Sequence, residues 1–214
     1  MNDYNVKQDL EARIFFPSMV YFALKPEFLK AARKVSYEYL NKFKMENDPN
    51  PINPLYQTES FQHDKRISEL VDYIGKVCWS ILDDQGYRMN NLGVNIEEFW
   101  CHEYNTTASM DKHIHGQRSM LSGFYFIDCP QDSTKLALYD PRSSKEYYSL
   151  PEKDDREVTI ASNSVVIQPE EGLLCITNSW LPHAFSRNAS EEPSRMIHFS
   201  VNSFYYEQKQ PTVI

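Results

Sequence analysis

The chain has 214 residues, and its 22 Lys and Arg against 30 Asp and Glu give a formal net charge of −8. No cluster of basic residues forms a stripe, which argues against nucleic acid as the main partner, because phosphate neutralisation dominates such binding. No apolar run approaches the roughly 20 residues that span a bilayer, and no signal-peptide pattern opens the sequence, so no membrane partner is expected.

The length suits one domain, 1–214, with a sizeable core. The 14 Tyr, 12 Phe and 3 Trp favour strands and a compact interior. Cys78, Cys101, Cys129 and Cys175 are scattered without CxxC spacing, as expected of reduced thiols in a cytoplasmic protein.

Residues 1–12 are polar and read as a frayed start. The dense apolar run Ile14 to Ala23 is interrupted by Pro17 and reads as an edge strand or a strand with a break. Pro26 then opens a helix. Phe28, Ala32, Val35, Tyr39 and Phe43 give it one apolar stripe, and three prolines between Asp48 and Leu55 stop it. A second helix follows from Ile67, Val71, Ile74, Cys78 and Ile81, with Gly86 as its C-terminal glycine. The helical part covers about residues 24–90.

From Asn91 the helical period disappears. Strands are predicted at 94–104, 121–127, 136–139, 165–167, 173–177 and 195–203, separated by turn signals such as Asp140-Pro141 and Pro169-Glu170-Glu171-Gly172. Many short strands suggest an antiparallel sandwich or barrel, here about residues 91–205. Helices first and strands later make the class α+β.

Three of the six histidines sit in two short stretches, Asp111-Lys112-His113-Ile114-His115 and Trp180-Leu181-Pro182-His183. Strand side chains alternate faces, so His113 and His115 point the same way if that stretch is extended, with Cα atoms about 6–7 Å apart. Both rings then reach one metal ion, and a fold that returns His183 to the same place completes a set suited to divalent iron. Asp111 shares their parity. The usual iron(II) facial triad is two His and one carboxylate. Asp111 is therefore an alternative metal ligand to His115, an acceptor for a ring N–H behind the metal, or a solvated residue.

Arg195 begins the last strong strand, on the same parity as the apolar Ile197, Phe199 and Val201. An inward Arg needs a partner. A protein carboxylate and a ligand carboxylate fit its planar fork equally well. His198 falls on the opposite parity and is expected to be an outward, structural residue.

The ordered set of H-x-H, Ser122-Gly123-Phe124-Tyr125-Phe126, Asp140-Pro141-Arg142, Pro169 to Leu174, Asn178 to His183 and Arg195 with Phe199-Ser200-Val201-Asn202 is distinctive. Over roughly residues 95–205 it resembles a 2-oxoglutarate/Fe(II) oxygenase family of bacteria and marine phages, distantly similar to prolyl 4-hydroxylases. The resemblance implies a double-stranded β-helix, or jelly-roll, core with the N-terminal helices packed on one face. It implies Fe(2+), 2-oxoglutarate and O2 as cofactor and cosubstrates, and hydroxylation of a small-molecule or peptidyl substrate. His113, His115 and His183 would hold the metal, with His115 in the slot where the wider superfamily carries Asp or Glu. Arg195 would grip the far carboxylate of 2-oxoglutarate, with Tyr125 adding a hydrogen bond. Ile197 departs from the small polar residue common two positions after that Arg, so Tyr125, Ser122, Lys135 or Arg142 would have to compensate. Trp180 either walls the iron pocket or belongs to the core.

Two rivals stand beside this reading. One is a cupin-like metalloenzyme that uses the same histidines without 2-oxoglutarate; the segment from Gly116 to Ser119 lacks the Glu such sites add. The other is a non-catalytic jelly-roll binding module. Residues 105–110 and 143–155 are the expected specificity loops.

Overall fold

The computed structural model describes residues 11–48, 50–116, 118–148 and 150–206. Residues 1–10 of the expected frayed start lie outside the described residues. The first strand, β1 (Val20–Leu24), begins only after Pro17 and lies at a sheet edge. Ile14, Phe15 and Phe16 precede it as exposed, irregular chain. Proline has no N–H for a ladder, so the run pairs only beyond it.

A 3-10 turn at Pro26–Phe28 leads into α1 (Leu29–Glu46), which buries Ala32, Val35, Ser36 and Leu40. A short strand β2 (Leu55–Gln57) precedes α2 (Ser68–Asp84), which buries Leu70, Ile74, Cys78, Ile81 and Leu82. Gly86 follows α2 at φ 93°, the left-handed region where a glycine carries no Cβ penalty.

The strands that follow are β3 (Leu92–Tyr104), β4 (Met110–His113), β5 (Leu121–Asp128), β6 (Leu136–Tyr139), β7 (Ser164–Ile167), β8 (Leu173–Asn178), β9 (His183–Phe185) and β10 (Ser194–Tyr205). They form a six-stranded sheet in the order β1-β8-β5-β10-β3-β2 and a four-stranded sheet in the order β4-β9-β6-β7. The pairs in both sheets are antiparallel. This is the expected α+β class, a double-stranded β-helix with helices on one face.

Two cores follow from alternation. One face of the large sheet packs Phe99, Cys101, Tyr125, Ile127, Ile197, Phe199 and Val201 against α1 and α2. The other packs Tyr104, Phe124, Phe126 and Met196 against Leu136, Leu138 and Phe185 of the small sheet. The central strands β5 and β10 are therefore buried on both sides, as the apolar run at 121–127 predicts.

Gly123 is where the helix-side face is tightest. A Cβ there would lie 2.3 Å from the Phe199 ring and 2.7 Å from the Cys175 carbonyl oxygen. Gly123→Ala is expected to cost about 1–3 kcal/mol by overpacking. An unchanged urea midpoint would contradict this.

Candidate functional site

The small sheet brings the two histidine stretches together. Strands β4 and β9 pair antiparallel with His113 directly opposite His183, and the ring centroids are 4.5 Å apart. Strand β4 ends at His113, so His115 is not on it as the parity argument supposes. Instead the His115 backbone N–H donates to the Ser179 carbonyl at 3.0 Å. That bond folds the following loop back, and His115 Nε2 comes within 3.2 Å of His183 Nε2. Candidate ligand atoms of His113, His115 and His183 all lie within 4.8 Å of one another.

The ring nitrogens are sorted by the backbone. His113 Nδ1 lies 2.8 Å from the Asp111 carbonyl oxygen, and His183 Nδ1 lies 3.0 Å from that of Leu181. A carbonyl only accepts, so each Nδ1 carries the proton and each Nε2 presents a lone pair to the cluster. Burial pushes the His183 imidazole down to about 4. Burial, with the nearby His183 and His113, does the same for His115, also to about 4. Both rings are therefore neutral at pH 7, the form that binds metal. Lone pairs brought this close repel unless a proton or cation lies between them. Three imidazoles, those of His113 and His183 with fixed outward bonds, suit Fe, Zn, Cu or Ni, and divalent iron fits this donor chemistry.

The large sheet closes over this cluster. His198 of β10 stacks on His115 at 4.4 Å between centroids, and Phe124 of β5 sits 5.2 Å from the His183 ring. Trp100, the cross-strand neighbour of His198, also stacks on it at 5.2 Å, and the His102 ring lies 6.2 Å from it. Several polar atoms buried here have no hydrogen-bond partner among the described residues: Trp100 Nε1, His102 Nδ1, Ser122 Oγ and both ring nitrogens of His198.

Residues 98–200 match the family described as "Putative 2OG-Fe(II) oxygenase". This part of the chain carries the sequence pattern of a 2OG-Fe(II) oxygenase. The family uses Fe(2+), 2-oxoglutarate and O2, and the enzyme class is a 2-oxoglutarate-dependent dioxygenase. Solved structures share the fold at low identity. A prolyl-4-hydroxylase from Pseudomonas putida is 13% identical with a TM-score of 0.56, over 86% of this chain and 91% of its own. The 2-oxoglutarate-dependent carbocyclase SnoK from nogalamycin biosynthesis is 11% identical with a TM-score of 0.62, over 90% of this chain and 84% of its own. HygX from Streptomyces hygroscopicus, solved with nickel and 2-oxoglutarate, is 10% identical with a TM-score of 0.55, over 86% and 83%. None of the curated proteins matches the chain in sequence.

Several expected site residues are not at this cluster. Arg195 lies on the helix-side face of β10, opposite Glu103 of β3, while the adjacent Met196 and His198 face the interior. Its guanidinium bonds Glu103 Oε2 at 2.7 Å and Asp128 Oδ2 at 2.9 Å, and Tyr37 stacks on it. The protein carboxylates are its partners, which corrects the assignment to a cosubstrate. The apolar parity of Ile197 and Phe199 misleads because it points to the helices, not into the barrel. Tyr125 shares that face and donates its hydroxyl to the Lys25 carbonyl at 2.7 Å. Asp111 is exposed and contributes its backbone carbonyl, not its carboxylate. Trp180 is 44% exposed and borders an outer groove with Ile14, Phe15 and Phe16, away from the metal cluster. Arg142 is engaged with Asp140.

Sequence reasoning missed His198, Trp100, His102 and Glu98. The signal was present in the alternation Met196-His198-Ser200, a polar-bearing stripe on a strand whose other face is apolar from Ile197 to Val201. In a sheet covered on both sides, the stripe carrying polar residues is the one facing the site.

Proposed function

We propose that His113, His115 and His183 hold iron(II) in a 2-oxoglutarate-dependent hydroxylase. The observation that carries this is the convergence of three imidazoles from a loop and two paired strands, each strand histidine fixed by a backbone carbonyl. Iron bound there supplies the redox chemistry that couples decarboxylation of 2-oxoglutarate to insertion of oxygen into a substrate C–H bond.

The chain's own residues do the rest. The β4–β9 register sets the angle between His113 and His183, and the Ser179 carbonyl holds the loop that carries His115. Phe124 and the stacked His198 keep water from the inner side of the triad. The interior-facing positions of β10 beside the triad, Met196, His198 and Ser200, carry no Arg or Lys. The unpaired donors Trp100 Nε1 and Ser122 Oγ would therefore meet the far carboxylate of 2-oxoglutarate.

The substrate is a small molecule or a peptidyl side chain, since proteins of this fold include a prolyl-4-hydroxylase and a carbocyclase. A cytoplasmic location agrees with four free cysteines, three of them buried.

Anaerobic addition of Fe(2+) and 2-oxoglutarate is expected to give a weak visible charge-transfer band, and 2-oxoglutarate with metal should raise the melting temperature. Metal binding without any response to 2-oxoglutarate would favour the cupin-like alternative. No response to either would leave a non-catalytic jelly-roll.

A further inference from the structure

A second set of ligand atoms lies beside the triad. Glu98 of β3, His115 and His198 also bring their candidate ligand atoms within 4.8 Å of one another. We propose that these three form a second position for a divalent cation, built from two imidazoles and one carboxylate and sharing His115 with the triad.

The backbone is arranged to make this set. Along β3, Leu92, Val94 and Ile96 pack on the helix side, and so do Phe99 and Cys101. Strict alternation would place 97 and 99 on the opposite face from 96. The register shift between Ser200 and Val201 of β10, paired with Glu98 and Ile96, gives β3 one extra residue and reverses the parity. The bulge turns Glu98 to the interior, and Asn202 Nδ2 holds the extra residue Glu97 at 3.2 Å. Bulges of this kind re-aim side chains next to sites.

His198 gives an independent reason. It is 1% exposed, and neither of its ring nitrogens has a hydrogen-bond partner among the described residues. An imidazole buried this way is costly, so a partner from outside the protein is expected. The groups around it are the rings of Trp100, His102, His115 and Phe124. The first three offer only neutral nitrogens, and Phe124 offers none. Glu98 and His115 provide the charge and the lone pair that a cation bound at His198 needs.

The shared histidine makes the two positions alternatives. A neutral imidazole has one lone pair, so His115 serves one set at a time. The triad leaves a divalent ion at +2, whereas the inner set with Glu98 leaves it at +1. Two His and one carboxylate are also the donor set of facial-triad iron sites. One ion per chain is therefore expected, with the inner position taking it when the outer one is damaged.

The test uses the full chain and Co(2+) as probe, with calorimetric stoichiometry and the visible d–d spectrum. His113→Ala removes one outer ligand and leaves the inner three. It should still bind one Co(2+) per chain, and adding Glu98→Gln should weaken that binding at least tenfold. Side-chain nitrogen NMR of the same variant with Zn(2+) should show a coordinated His198 nitrogen. His113→Asn serves the same purpose if the alanine variant folds poorly. The proposal is overturned if the His113 variant loses Co(2+) binding while the unaltered chain keeps it. It is also overturned if adding Glu98→Gln to the His113 variant changes nothing or the His198 resonances of that variant do not move. Loss of binding in the unaltered chain would instead sink the triad.

Discussion

His115→Ala is expected to abolish metal binding. Iron content after anaerobic reconstitution should fall from about one per chain to near zero, and the 2-oxoglutarate charge-transfer band should vanish with it. His115 belongs to both candidate ligand sets, so its loss leaves each with two donors. Removing only an outer partner of a ligand already costs about 10–100-fold in affinity, so losing the shared ligand should cost at least about 100-fold. His115 sits in a loop rather than a strand and is partly exposed, so the fold should survive. Circular dichroism checks that directly. Asp111→Ala is the matched control. Its carboxylate is outside the cluster, and the alanine variant keeps the carbonyl that bonds His113 Nδ1 at 2.8 Å. Unchanged iron in Asp111→Ala with lost iron in His115→Ala would fix the third ligand. The reverse pattern would overturn the triad.

The architecture was largely legible because its signals are local. Helical spacing at Ile67, Val71, Ile74 and Cys78 and a glycine at 86 anticipate α2 and its end. The run at 121–127 anticipates a strand buried on both faces. The short strands β2 and β9, at three residues each, carry too few positions for a period to appear. The triad was legible because H-x-H and a remote histidine are unusual together. The orientation of β10 was not, because alternation says which residues share a face but not which face meets the site. Met196, Ile197, His198 and Phe199 are all at 0–1% exposure, so burial alone does not separate the two faces. Only the pairing with Glu103 and the stacking on His115 separate them. The inward turn of Glu98 depends on a one-residue bulge, marked in the sequence only by the switch of apolar parity between Ile96 and Phe99.

Arg195→Met is expected to lower stability sharply without touching cosubstrate affinity. The Glu103 side chain is 1% exposed and is held by Arg195 and Lys44. Asp128 receives Arg195, Arg33 and the Tyr37 hydroxyl. Removing the central guanidinium strips a buried carboxylate of its best-aligned donor, a change that costs about 3 kcal/mol when one partner of a buried pair is lost. For a chain of this size each kcal/mol shifts the melting temperature by about 2–4 °C, so a drop of about 6–12 °C should appear. Methionine keeps the unbranched apolar stem, so lost packing contributes little. Glu103→Gln should reproduce part of the loss, and the double variant should be less than additive because both changes break one network. The 2-oxoglutarate band should be unaltered in every variant that folds, because the guanidinium and the triad lie on opposite faces of β10. A folded Arg195→Met protein that binds iron but no 2-oxoglutarate would restore Arg195 to the cosubstrate site and require β10 to present its other face.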